Sequence, residues 1–157
     1  MGLPDDPEAF IAAAERGINE RDLDATAGAY APDARLENYI DGAFESWSGA
    51  EDIRRAWGAY LKAMDARGFT LRKTITTVGD DTIVNTWSGS LAGRTDSEGI
   101  EYWRFDGDGR VREHRLYTLL NVKPSTSALQ RLRIALSYPL SAFAFLREQR
   151  RAGLRPR

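Results

Sequence analysis

The chain has 157 residues, a net charge of −1 and 42% hydrophobic residues, which is typical of one globular domain with a single core. It contains no cysteine, which excludes disulfides, thiolate nucleophiles and zinc–thiolate sites. No apolar run approaches the roughly 20 residues of a membrane-spanning helix, and the N-terminus lacks the features of a signal peptide, so we expect a cytoplasmic protein with no membrane span.

Charge is unevenly distributed along the chain. Residues 1–122 carry 14 Lys and Arg against 22 Asp and Glu, whereas residues 123–157 carry eight basic residues and one acidic residue, Glu148. A basic end of this kind suits an acidic partner or a membrane surface. The alternative, which we favour, is a basic helix lying against its own acidic domain. Because most of the protein is acidic, we expect no nucleic-acid partner.

Apolar residues at helical spacing predict three helices in the first half of the chain, over residues 7–20, 22–31 and 48–68. Pro32 would end the second helix, and Ser48-Gly-Ala-Glu51 is a capping-box pattern that would start the third. Between these two helices we expect a short strand over 34–39 and a loop over 40–47.

From Phe69 onward the residue pattern becomes typical of strands, which we predict over residues 69–78, 82–91, 99–105 and 110–122. Short turns between them imply antiparallel pairing. Segregated helices and strands favour an α+β fold, in which helices cover one face of a curved sheet. The chain then divides into a domain over 1–124 and a C-terminal helical extension over 125–157, with helical stripes before and after Pro139.

The last two strands form a hairpin around the turn Asp106-Gly-Asp-Gly109. Glu101 alternates with its neighbours so that it shares a face with Trp103 and Phe105. A carboxylate among aromatics is either misplaced surface charge or a working acid. The second strand carries His114, the only histidine of the chain.

The ordered pattern resembles the nuclear transport factor 2-like superfamily, in particular its SnoaL-like and ketosteroid-isomerase-like branch. Three segments carry the resemblance: INERDLDATAGAYAPDARLEN at 18–38, WSGAEDIRRAW at 47–57 and YWRFDGDGRVREHRLY at 102–117. The resemblance implies a cone-shaped fold in which the helices and a curved antiparallel sheet enclose an apolar pocket. It also implies that the sheet exterior forms a homodimer contact, as it often does in this superfamily.

The resemblance also permits comparison of single positions. Where the steroid isomerases place a general-base aspartate, this chain has Asn38, and an amide cannot act as a base. Their oxyanion-donor tyrosine is replaced by Ala14, whereas Glu101 occupies the place of their second donor, a protonated aspartate. Relatives that hydrolyse limonene epoxide hold a water with an asparagine near Asn38. Their triad is not expected here, because Arg94-Thr-Asp96 falls in a predicted turn and Leu116 replaces the last aspartate.

Glu101 and His114 are therefore the leading catalytic candidates. A carboxyl group among apolar neighbours favours its protonated form, which suits a general acid or a neutral hydrogen-bond donor. The alternative for Glu101 is an ion pair with Arg104 or Arg115. His114, on the face that the resemblance points into the pocket, would transfer protons, or else be a structural hydrogen-bonding residue.

Further candidates lie around the expected pocket. Asn38 would orient the substrate or a water, and Asp41 flanks the mouth, unless Asp41-Gly42 only forms a turn. The residues expected to line the pocket, and so to contact a substrate, are Tyr30, Trp57, Trp87, Trp103, Leu116 and Tyr117. We expect no metal, since one histidine and no cysteine leave only carboxylates, and no cofactor.

These features favour a SnoaL-like protein with a pocket for a small apolar ligand. As an enzyme it would be a cofactor-independent isomerase, cyclase or dehydratase that uses acid–base chemistry on an oxygen-bearing polyketide, terpenoid or steroid-like substrate. The alternative is a non-catalytic ligand-binding or dimeric assembly domain, which the missing base and tyrosine favour.

Overall fold

The computed structural model describes residues 2–120, 132, 136 and 139–151. The chain divides into two compact units, residues 1–122 and 123–157. The first unit contains α1 (Pro7–Glu20), α2 (Leu23–Ala27), β1 (Tyr30–Ile40), β2 (Ala43–Ser48), α3 (Ala50–Ala66), β3 (Thr70–Val78), β4 (Thr82–Leu91), β5 (Arg94–Phe105) and β6 (Val111–Leu119). In the second unit the described helix is α4 (Pro139–Arg151), and most of the helical stripe predicted before Pro139 lies outside the described residues.

One six-stranded sheet, in the order β2-β1-β6-β5-β4-β3, forms the centre of the first unit. All neighbouring strands are antiparallel except β1 and β6, which are parallel. The predicted α+β class and the curved sheet with N-terminal helices are confirmed. The parallel pair was not predicted. It forms because β1 pairs with β6, the last strand of the sheet, and the two strands run in the same direction.

The helices begin and end where local chemistry favours it. The Asp6 side chain caps α1 by accepting a hydrogen bond from the Ala9 backbone N–H at 2.8 Å. Arg21, in the left-handed conformation at φ 62°, ends that helix. The apolar stripe of α3 is buried at Ile53 and Trp57, among others. Among the described residues, no helix has the length and apolar character needed to cross a bilayer.

Several predicted boundaries are wrong for identifiable reasons. Helix α2 ends at Ala27, and Pro32 lies inside β1, where the pairing with β6 shifts register between Tyr30 and Arg35. The α3 cap is Gly49, at φ 88° and without a side-chain hydrogen bond, so the predicted capping box does not form.

Two segments predicted to be irregular belong to strands. The segment over 40–47 contains β2, joined to β1 by the tight turn Asp41-Gly42, whose φ angles of 50° and 88° are left-handed. Strand β2 is largely exposed, so it lacks the buried alternation that would have revealed it. Arg94–Asp96 lies in β5 and not in a turn, because the chain reverses at Ala92 and Gly93, which have positive φ angles.

Candidate functional site

Three rows of inward-facing residues cross β1, β6, β5 and β4, and they position the site. The deepest row is Leu36, His114, Trp103 and Ile83; the middle row is Asn38, Leu116, Glu101 and Asn85; the third is Ile40, Thr118, Gly99 and Trp87. The middle row carries three polar side chains on the inner face of the sheet, all of them buried.

A cavity of about 290 Å³ lies between these rows and the helices. Its wall combines residues from α1, α3 and the sheet: Ile18, Asn38, Ile40, Trp57, Tyr60, Ala63, Met64, Arg67, Phe69, Leu71, Trp87, Leu91, Glu101, Leu116, Thr118 and Leu120. The wall is mainly apolar, and Glu101 is the one carboxylate among the described residues that line it. Such a cavity suits a small apolar molecule held by a few placed polar groups.

Glu101 is 2% exposed and is held through one oxygen. Its Oε2 accepts hydrogen bonds from Lys73 Nζ at 2.5 Å and from Asn85 Nδ2 at 3.0 Å. Asn85 Oδ1 in turn accepts from Trp103 Nε1 at 2.7 Å, which fixes the amide. Within the described part of the chain, no hydrogen bond reaches Oε1 of Glu101.

The partner of Glu101 is Lys73, and not either arginine considered from the sequence. Arg104 binds Asp81, and Arg115 lies 3.1 Å from Glu37, both on the other face of the sheet. Lys73 Nζ also lies 5.2 Å from the centre of the Trp103 ring. A buried ammonium in direct contact stabilises a carboxylate, so the arrangement differs from the neutral acid that the sequence suggested.

His114 lies one row deeper than the cavity and does not line it. Its ring stacks on Trp103 with 3.4 Å between centroids, and its Nδ1 lies 2.6 Å from Tyr30 Oη. That oxygen accepts from Trp57 Nε1 at 3.0 Å, so the Tyr30 hydroxyl is free to donate to His114. Burial, followed by the charge of Lys73, holds the pKa of His114 well below its usual range. The imidazole is therefore neutral and packed in the core, where the structural alternative fits better than proton transfer.

Asn38 does line the cavity and is 5% exposed. Its Nδ2 donates to Tyr60 Oη at 2.9 Å, and Tyr60 donates to Glu45 Oε2 at 2.5 Å. Asn38 Oδ1 is buried and has no hydrogen-bond partner among the described residues. A buried polar atom left in this way at a cavity wall is a candidate ligand contact.

The other predicted site residues fall in four places. Trp57, Trp87 and Leu116 line the cavity, whereas Tyr30 and Trp103 are core residues behind it. Tyr117 lies on the outer face of the sheet, 44% exposed and stacked on Tyr39. Asp41 forms the β1–β2 turn and accepts a hydrogen bond from the Leu120 backbone N–H at 2.9 Å.

Lys73, Asn85 and Tyr60 are site residues that the sequence interpretation missed. Lys73 lies two residues from both Leu71 and Ile75 in β3 and therefore shares their face of the strand. This position beside two apolar residues was the one available signal that Lys73 lies on the inner face. Among the residues that the structure describes, no three His, Asp or Glu side chains are grouped as a metal site requires.

Residues 8–114 match the family described as SnoaL-like domain. The fold is similar to a SnoaL-like protein of unknown function from Burkholderia thailandensis, at 19% identity over 71% of this chain and 92% of that one, with a TM-score of 0.60. A putative polyketide cyclase from Sinorhizobium meliloti is 22% identical over 73% of this chain and 95% of that one, with a TM-score of 0.56. A steroid delta-isomerase from Pseudomonas aeruginosa is 22% identical over 90% and 96%, also at 0.56. No curated protein is significantly similar in sequence.

Proposed function

Because the chain belongs to the SnoaL-like domain family, we propose that it binds a small apolar, oxygen-bearing molecule in the cavity and that Glu101 acts there as an acid–base residue. The observation that carries the proposal is the buried Glu101 carboxylate, bound through Oε2 by Lys73 and Asn85 while Oε1 accepts no hydrogen bond from the described residues. At these low identities the solved structures support the fold alone.

The contact with Lys73 favours a base as the resting form of Glu101. An ionised carboxylate beside an apolar wall can remove a proton from a carbon next to a carbonyl group. The C–H bond breaks, its electron pair moves to the carbonyl oxygen as an enolate, and Glu101 holds the proton. Return of that proton to another carbon gives isomerisation, attack of the enolate carbon on a second carbonyl gives cyclisation, and loss of a protonated hydroxyl gives dehydration. None of these steps needs a cofactor.

Kemp elimination of 5-nitrobenzisoxazole tests for such a base without knowledge of the natural substrate. Glu101 would take the proton at C3, and the electron pair of that bond would open the N–O bond to give a coloured cyanophenolate. We expect Glu101→Gln to lower the rate by about 100-fold or more. Glu98→Gln, a matched control at an exposed position of the same strand, should leave the rate unchanged. Equal rates in the wild type and Glu101→Gln, with 5-nitrobenzisoxazole bound, would favour the non-catalytic binding domain.

The outer face of the sheet supports a second proposal, a homodimer. Phe44, Tyr39, Tyr117 and Ile100 form a continuous row across four strands, and Phe44, Tyr117 and Ile100 are 52%, 44% and 48% exposed. Exposed apolar rows of this kind mark association surfaces. Sedimentation analysis should give a dimer for the wild type and a monomer for Ile100→Lys. A wild-type monomer at all concentrations would contradict the proposal.

We also propose that residues 1–124 fold as the SnoaL-like domain and that 125–157 are an appended extension. The division of the chain into units at residues 122 and 123 supports it. A chain ending at residue 124 should keep cooperative thermal unfolding and bind 5-nitrobenzisoxazole. An unfolded truncated chain would contradict the boundary. The cytoplasmic location stays a prediction from the sequence.

A further inference from the structure

We propose that the Asn38 side-chain carbonyl is a subsite for a hydrogen-bond donor of the ligand, so that the cavity prefers molecules carrying a hydroxyl group. The inference rests on the proposed ligand binding in the cavity, but not on catalysis by Glu101. It follows from the direction of a chain of hydrogen bonds that runs from the surface to the cavity wall.

The chain starts at Glu45, whose exposed side chain belongs to β2 and lies outside the cavity wall. An ionised carboxylate only accepts hydrogen bonds, so the Tyr60 hydroxyl must donate its hydrogen bond to Glu45 Oε2, 2.5 Å away. Burial and this hydrogen bond raise the pKa of Tyr60, which keeps the phenol protonated. Tyr60 Oη is then left as an acceptor.

Asn38 must therefore turn its NH₂ group towards Tyr60, at 2.9 Å. The orientation of an asparagine amide is normally ambiguous, because its oxygen and nitrogen look alike. Here the Tyr60 hydroxyl already donates to Glu45, so it can only accept from Asn38, and the amide has one orientation. The carbonyl oxygen of Asn38 is left buried, without a partner in the described part of the chain, in a wall that includes Trp57 and Leu116. An unsatisfied buried acceptor is destabilising, and a hydrogen-bond donor of the ligand would satisfy it.

Glu101, another polar residue of the wall, also presents an acceptor to the cavity. Asn38 and Glu101 face each other across Leu116 in one row of the sheet, two strand spacings or about 10 Å apart between Cα atoms. Both present an oxygen that accepts. These two acceptors favour a ligand with a hydroxyl group at one end and an acidic C–H or O–H at the other.

The matched probes are 2-naphthol and its methyl ether, 2-methoxynaphthalene, whose binding is measured by isothermal titration calorimetry. We expect wild type to bind 2-naphthol about tenfold more tightly, the value of one net hydrogen bond. A phenol could also donate to Glu101, so the test lies in two variants that act on Asn38. Tyr60→Phe removes the acceptor of the Asn38 NH₂ group, and Glu45→Ala removes the acceptor of the Tyr60 hydroxyl. Both release the amide to rotate and present its NH₂ group, and each should bring the ratio of the two dissociation constants towards one.

Glu51→Ala makes the same substitution at an exposed position in the first turn of α3 and should keep the tenfold preference. Equal affinity of wild type for the two probes would overturn the subsite, as would binding of neither probe. A preference that survives unchanged in both Tyr60→Phe and Glu45→Ala would also overturn it, because the donor would then bind elsewhere. A preference that behaves as expected in a protein with no Kemp activity would leave the subsite standing and remove the catalytic role of Glu101.

Discussion

Lys73 Nζ lies 2.5 Å from Glu101 Oε2, and only 2% and 3% of the two side chains are exposed. The two residues are 28 positions apart and come from β3 and β5, with β4 between them. Asn85, on that middle strand, donates to the same oxygen. A charged pair at this depth is stable only because each partner compensates the other.

Removing one partner should therefore be costly. We expect Lys73→Met to lower the free energy of unfolding by about 3–5 kcal/mol in urea denaturation, because it leaves a buried charge unpaired. The same substitution in a Glu101→Gln background should cost clearly less, since the unpaired charge is gone. Arg104→Met, which breaks an exposed pair with Asp81, should cost much less than Lys73→Met. If the double variant lost the sum of the two single variants' losses in free energy of unfolding, Lys73 and Glu101 would not stabilise each other, which would contradict the ion pair.

The buried His114 should make stability depend on pH. Its imidazole takes up a proton in the unfolded chain near the usual pKa of 6.5, but in the fold its pKa is well below that. Because the unfolded state then binds more protons, the free energy of unfolding should fall as the pH drops below 6.5, by at most about 1.4 kcal/mol per pH unit.

His114→Gln keeps an acceptor for the Tyr30 hydroxyl. Whether or not the variant is less stable than the wild type, its free energy of unfolding should change less between about pH 7 and pH 5. The chain has no other histidine to produce the same slope. Urea denaturation curves at several pH values provide the measurement. Parallel pH dependence of the wild type and the variant would show that His114 is not held neutral.

Gly99 should be intolerant of a side chain. A Cβ atom at this position would lie 2.5 Å from both Trp87 Nε1 and the Tyr117 carbonyl oxygen. Gly99→Ala should displace the Trp87 ring from the cavity wall, weaken 2-naphthol binding and cost about 1–3 kcal/mol in thermal unfolding. Gly107→Ala, where nothing lies within 4 Å, is the control and should change neither quantity. Unchanged binding in Gly99→Ala would mean that Trp87 does not limit the cavity.

The elements that could be predicted from the sequence are those with strong local signals. The stripe of α3 and the turn Asp106–Gly109 each depend on a few neighbouring residues, and both are present. Strand β2 was missed because its side chains are mostly exposed and leave no alternation of burial. Periodicity detects a buried face, and it fails where an element has none.

The site was harder to predict because it depends on strand register. Alternation placed Glu101 on the face of Trp103 and Phe105, and the family resemblance pointed the face of His114 inward. Only the pairing of β5 with β6 shows that His114 lies opposite Trp103, one row from the cavity. The contact of Lys73 with Glu101 depends on the register of three strands. No local pattern encodes that distance, so the sequence offered arginines of the hairpin as partners instead.

The central claim is that Glu101 is the base of this cavity, and hydrogen–deuterium exchange of 6-hydroxy-2-tetralone tests it most directly. This ketone carries a hydroxyl group suited to Asn38 and acidic C–H bonds next to its carbonyl group. Nuclear magnetic resonance in deuterated water follows their exchange. We predict that wild type accelerates the exchange and that Glu101→Gln, binding the ketone with similar affinity, is slower by about 100-fold or more. Exchange at the wild-type rate in a folded, ketone-bound Glu101→Gln protein would contradict the account.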